Sequence, residues 1–148
     1  MQSRVKIGHW GGRGGQQRDV QYDPIQLVRV IVYSEGQAIN GISFTYMDKH
    51  GQHHEEGPWG GADEDETPHR DIELSHADLK EISGTCGKVG NMNNIITSLR
   101  FVTNKGKTYT FGNSTGTPFH VPMQEGKIIG FFGRAGDYLD ALGIYCAA

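Results

Sequence analysis

The stretch Gly136-Asp137-Tyr138-Leu139-Asp140 places a tight turn, exposed amides and a carboxylate within five residues. A carboxylate accepts two hydroxyl protons side by side, while adjacent backbone N–H groups donate to hydroxyl and ring oxygens. Tyr138 adds an aromatic face that can pack on an apolar C–H patch. The combination suits a neutral polyol such as a sugar ring, and it contains no lone nucleophile or general base. A second candidate is the glycine run Gly8-His9-Trp10-Gly11-Gly12-Arg13-Gly14-Gly15, which brings bare amides to a surface that a ligand can approach without meeting a Cβ. A phosphate cradle would end in Gly-Lys-Ser/Thr and lead into a helix. This run continues as Gln16-Gln17-Arg18-Asp19 and leads to a strand. Taken alone, it also reads as a plain glycine-rich turn.

Other polar clusters offer less. His50-Gly51-Gln52-His53-His54-Glu55-Glu56 reads as a hairpin tip, and strand alternation sends His53 and His54 to opposite faces, matching no zinc spacing. The run Asp63-Glu64-Asp65-Glu66 lacks the spaced ligands and turn glycine of a calcium loop and reads as a solvated charge run. Glycoside hydrolysis needs two placed carboxyls roughly 5–10 Å apart, and no second placed acid is read beside Asp140. No metal, no cofactor and no catalysis are expected. Cys86 and Cys146 fit neither a metal pattern nor a disulfide framework and read as small buried or edge residues.

The elements that must hold these turns are strands. Val- and Ile-rich or alternating runs cover 26–33, 39–46, 95–103, 107–111, 119–121, 128–132 and 138–145. In the third run the alternation groups Ile95, Leu99 and Phe101 on one face. Residues 75–81 read as a turn leading into a strand. Glycine, 22 of 148 residues, is spread without a period and marks tight turns. Trp10-Gly11-Gly12 recurs 49 positions later as Trp59-Gly60-Gly61, and one further step lands near Phe111-Gly112. The turn Gly36-Gln37-Ala38-Ile39-Asn40 lies two such steps before Gly136–Asp140, with 84–91 between them. Three units of this length predict three similar sheets about a pseudo-threefold axis, burying their inner faces against one another. A propeller would need shorter blades and at least four of them.

The length suits one domain spanning 1–148. A net charge of −3 gives no reason to expect nucleic acid or an anionic membrane as partner. Met1-Gln2-Ser3-Arg4-Val5-Lys6 lacks the apolar core of a signal peptide, so a cytoplasmic or nuclear protein is expected, and the sequon Asn113-Ser114-Thr115 would matter only in a secreted chain.

From Lys6-Ile7-Gly8-His9-Trp10-Gly11-Gly12 to the closing Gly130-Phe131-Phe132-Gly133-Arg134-Ala135-Gly136-Asp137-Tyr138-Leu139-Asp140-Ala141-Leu142-Gly143, the chain resembles the jacalin-related lectins, in their mannose-binding plant branch. Glu81-Ile82-Ser83-Gly84-Thr85 and Gly116-Thr117-Pro118-Phe119 carry the resemblance between these ends. The resemblance implies an all-β fold, a β-prism of three four-stranded Greek-key sheets. It also implies a shallow sugar site made by Gly14, Gly15, Gly136, Asp137, Tyr138, Leu139 and Asp140. On that pattern Gly15 donates its N–H to a hydroxyl, Asp137 and Tyr138 donate theirs to the ring oxygen and 6-hydroxyl, and Asp140 accepts from the 4- and 6-hydroxyls. Galactose-preferring relatives are cleaved after the glycine loop, whereas this chain is continuous there, which favours mannose- and glucose-type sugars. Homodimers, or fusion to another domain such as a dirigent domain, are the expected ways to present several sites. A second site in the family uses the first-repeat turn, but here Asn40 stands where that site has Asp. The facing loop Gly60–Glu66 is acidic, so this site is expected to be weak or absent. A β-prism with a lapsed sugar site remains open as a module for protein interaction, with the intact Gly136–Asp140 turn weighing against it.

Overall fold

The computed structural model describes residues 4–148, and the reading of Met1 to Ser3 lies outside them. Twelve strands run in chain order: β1 (Arg4–Gly11), β2 (Gln16–Arg18), β3 (Pro24–Tyr33), β4 (Gly41–Asp48), β5 (His53–Gly60), β6 (His69–Glu73), β7 (Leu79–Val89), β8 (Met92–Thr103), β9 (Thr108–Gly112), β10 (Thr117–Pro122), β11 (Lys127–Ala135) and β12 (Leu139–Ala147). They form three antiparallel four-stranded groups, ordered β5-β4-β3-β6, β9-β8-β7-β10 and β1-β12-β11-β2. Each is a Greek key, in which the fourth strand returns beside the first. In the third group the key is closed by pairing of β1 and β2 with β11 and β12 from the far end of the chain. The second and third groups touch edge to edge through one pair, Ile128 with Leu79, so by continuous pairing they count as one eight-stranded sheet.

The strands follow from their side chains. In β4 the alternation puts Ile42, Phe44 and Tyr46 inward and leaves Ser43, Thr45 and Met47 partly exposed. Each sheet sends a ring to the common core: Phe131 meets Phe44 at 5.2 Å and Phe101 at 6.1 Å, both edge to face. Trp59 packs edge-on against Phe44, and Trp10 stacks flat on Phe119, tying the first and third glycine-loop regions together. Burying rings of this size contributes roughly 1.5–3 kcal/mol each.

Strand β8 departs from simple alternation. Thr85 pairs with Ser98 but Cys86 with Ile96, so Thr97 is an extra, bulged residue. The bulge changes the phase, and Ile96, not Ile95, joins Leu99 and Phe101 in the main core. Ser98 is buried as well, satisfied by the Thr85 hydroxyl at 2.7 Å.

The threefold repeat is real, with its middle turn placed differently from the sequence expectation. Ile39 donates its N–H to the Ile96 carbonyl (3.0 Å), and Leu139 donates to the Ile39 carbonyl (3.1 Å). The counterpart of the turns ending in Ile39-Asn40 and Leu139-Asp140 is therefore Ile96-Thr97, while 84–89 lie inside β7. The glycines agree. A Cβ on Gly11, Gly60 or Gly112 would overlap the carbonyl oxygen of Asp140, Asn40 or Thr97 respectively. Each of these glycines thus sits against the turn or, in β8, the bulge of the neighbouring strand of its own sheet.

Candidate functional site

The site residues are assembled from both ends of the chain. Strand β11 delivers Arg134 and Ala135 to the turn 136–138, and β12 begins at Leu139 and Asp140. Strand β1 leads into the loop 12–15, whose Gly12 N–H donates to the Asp140 carbonyl (2.9 Å). The loop then bends over the turn because β2 pairs Gln16 with Ala135.

The Asp140 carboxylate lies flat against two bare backbones. A Cβ on Gly14 would stand 2.5 Å from Asp140 Oδ1, and one on Gly15 would stand 2.6 Å from Oδ2. Gly15 also has φ +66°, a left-handed conformation that side chains resist. Burial raises the carboxyl above its ordinary value. The Gly136 amide and the Arg134 guanidinium oppose that shift, while the Asp137 charge adds to it.

The amides are ready. Among the described residues, no protein acceptor is paired with the N–H groups of Gly15, Asp137 or Tyr138. Gly14, Gly15, Gly136 and Asp137 are exposed, Asp140 and Tyr138 are partly buried, and Leu139 is fully buried. Leu139 therefore anchors the turn with its side chain and offers only backbone to a ligand. Tyr138 lines a small pocket with Glu35, Gln37, Ala38 and Asn40, on the side of the first-repeat turn.

Three contributors were hidden in the sequence. Arg134 donates from Nε to the Gly14 carbonyl (3.0 Å) and from Nη2 to the Gly15 carbonyl (2.9 Å). Gly61 donates its N–H to the Asp137 carbonyl (3.0 Å). Asn94 packs on Gly12, and with Arg13, Met92 and Asn93 it walls an open groove of about 550 Å³ that ends at Asp140. No spacing rule links Arg134 to a loop some 120 positions earlier.

The other two repeats do not present a free carboxylate. Asn40 is buried and accepts the Glu35 N–H at its Oδ1 (2.9 Å), capping its own turn. Its facing loop has Asp63 and Glu64 where the first loop has Gly14 and Gly15, and Asp63 Oδ1 accepts from the Asp65 and Glu66 amides. Thr97 is fully buried, with its hydroxyl bonded to Thr85 Oγ1 and the Thr115 carbonyl. His54 of the hairpin tip pairs through Nε2 with Asp48 (2.7 Å) and stacks on Tyr22.

A three-sheet prism whose exposed end carries one carboxylate among bare glycine amides is the architecture of a carbohydrate-binding module. Residues 7–145 match the Jacalin-like lectin domain, and the chain belongs to that family. It is 48% identical over 148 residues to Horcolin of Hordeum vulgare, covering 98% of both chains. The structure of AcmJRL, described as a mannose-binding jacalin-related lectin from Ananas comosus, superposes with a TM-score of 0.89 at 37% identity, over 97% of this chain and 96% of that one. A mannose-specific jacalin-related lectin from Morus nigra, solved in complex with mannose, gives a TM-score of 0.84 at 31% identity, over 97% of this chain and 94% of that one.

Proposed function

We propose that this lectin domain holds a single mannose- or glucose-type residue of a glycan at the Gly14–Gly15 and Gly136–Asp140 junction, without chemistry on the sugar. The observation that carries the reading is the Asp140 carboxylate laid against Gly14 and Gly15, with the free amides of Gly15, Asp137 and Tyr138 around it. Asp140 accepts from the 4- and 6-hydroxyls, Asp137 and Tyr138 donate to the ring oxygen and 6-hydroxyl, and Gly15 donates to a neighbouring hydroxyl. An equatorial 4-hydroxyl points into the carboxylate and an axial one turns away, so mannose and glucose fit and galactose does not. The mannose-binding descriptions of the Ananas and Morus relatives support the same class of ligand. Titration calorimetry with methyl mannoside, methyl glucoside and methyl galactoside tests it. Binding of the first two and silence of the third is expected, and a preference for galactose overturns the reading.

One shallow site holding one sugar at about millimolar affinity is worth only ~4 kcal/mol. Presentation of several sites together raises glycan avidity without new contacts. A twofold homodimer, the commonest assembly of soluble chains, is the arrangement proposed here.

A further inference from the structure

We infer that Arg134 and Gly61 are positioning residues that aim the sugar-facing amides by gripping the carbonyl on the opposite side of each peptide. The inference deepens the proposed sugar site and concerns two residues that do not touch the sugar. The Gly14–Gly15 and Asp137–Tyr138 peptides are trans. A trans peptide is planar, with its N–H directed opposite to its C=O. Fixing the Gly14 carbonyl therefore fixes the direction of the Gly15 N–H, and fixing the Asp137 carbonyl fixes that of Tyr138.

The two grips come from different places. Arg134 reaches across from β11 and holds Gly14 and Gly15 carbonyls together through Nε and Nη2. A guanidinium can span two adjacent carbonyls because its donors form a rigid planar fork, which an ammonium cannot reproduce. Without it, a loop of three glycines among residues 12–15 has little to hold its peptide planes, since glycine leaves φ and ψ nearly free. Gly61 belongs to the second glycine loop, the one that resembles a second sugar site in sequence. Here that loop turns its N–H to the first site's turn, and a Cβ at Gly61 would overlap the Asp137 carbonyl oxygen. The second loop is thus a buttress of the first site.

Arg134 also has an electrostatic effect, because its charge favours the ionised Asp140. The two effects separate by substitution. Arg134→Lys keeps a charge but loses the fork, whereas Arg134→Ala loses both. Gly61→Ala adds the obstructing Cβ at a glycine whose φ lies outside the left-handed region.

The experiment combines mannoside calorimetry with amide 15N–1H spectra of parent, Arg134→Lys, Arg134→Ala and Gly61→Ala, with melting temperature as the folding control. Arg134→Lys should weaken mannoside about tenfold, the worth of one charged hydrogen bond, with the pH profile of binding unchanged. Arg134→Ala should weaken it at least as much and move the acidic loss of binding to higher pH. The Gly15 amide signal should move in both Arg134 variants, and the Tyr138 signal in Gly61→Ala, before any sugar is added. Parent-like affinity in Arg134→Lys and Gly61→Ala, with those two signals unmoved, overturns the inference. A folded parent that binds no mannoside overturns the proposed function instead. The amide signals measured without sugar then still decide whether these two residues aim the peptides.

Discussion

Asp140 carries a conflict between folding and binding. Its carboxylate is partly desolvated against Gly14, Gly15 and Gly136, and its pKa is raised in consequence. A raised carboxylate pKa means that the ionised form is less comfortable in the folded chain than in the unfolded one. Asp140→Asn should therefore leave the melting temperature unchanged or slightly higher. Mannose binding should become undetectable, since a charged hydrogen bond contributes ~1.5–3 kcal/mol of a total near 4 kcal/mol. Calorimetry paired with thermal melts reads both. The same shift gives the parent an acid limit. The sugar needs the ionised acceptor, so binding should decline as pH falls through a value above the ordinary 3.8 of this side chain. Binding that persists unchanged to pH 3.8 would remove Asp140 from the site.

At the scale of elements, the β4–β5 hairpin carries a second carboxylate in the opposite condition. Asp48 accepts from His54 Nε2 and from the His50 and Gln52 amides, and these bonds, led by His54, lower its pKa from 3.8 to about 2. A depressed carboxylate pKa contributes stability that is present above the unfolded value and lost as pH falls toward the folded one. Asp48→Asn should thus melt lower than the parent near neutrality, with the gap shrinking between pH 4 and pH 2. Thermal melts across that range check it, and a gap independent of pH would contradict the assignment. The hairpin was visible in sequence through Gly51, but the clamp was not. The sequence places His54 in a hairpin tip spanning His50 to Glu56, and only the pairing of β4 with β5 brings it to Asp48. Strand β8 shows the same limit. Alternation located the strand, yet the bulge at Thr97 exchanged Ile95 for Ile96 in the core.

Across the whole molecule, three repeated loop-and-turn junctions yield one open carboxylate among the described residues. Asn40 spends its Oδ1 on the Glu35 amide, Thr97 is sealed by Thr85 and Thr115, and only Asp140 faces bare glycines. Asn40→Asp should accordingly leave the stoichiometry at one mannose per chain, because Asp63 and Glu64 still occupy the positions of Gly14 and Gly15. A calorimetric stoichiometry of two would show that the carboxylate alone makes a site. The proposed single site leaves avidity to the proposed homodimer. Light scattering should give twice the chain mass, and a monomer at working concentration would reject the homodimer.

The sequence by itself determined the strand character and the threefold repeat, and the proposed site at Gly14, Gly15 and Gly136–Asp140 rests on its resemblance to the jacalin-related lectins. Alternation is read within a few positions, and the repeat by comparing segments 49 residues apart. Tertiary structure decided what happens between distant segments. It closed the third Greek key by pairing β1 with β12, turned Tyr138 toward the first-repeat turn and buried Leu139. It also laid Arg134 on the Gly14 and Gly15 carbonyls and Gly61 on that of Asp137. Such contacts depend on how three sheets pack around one axis, and a glycine's role as buttress or ligand depends on which carbonyl the packing sets before it. No spacing along the chain encodes that choice.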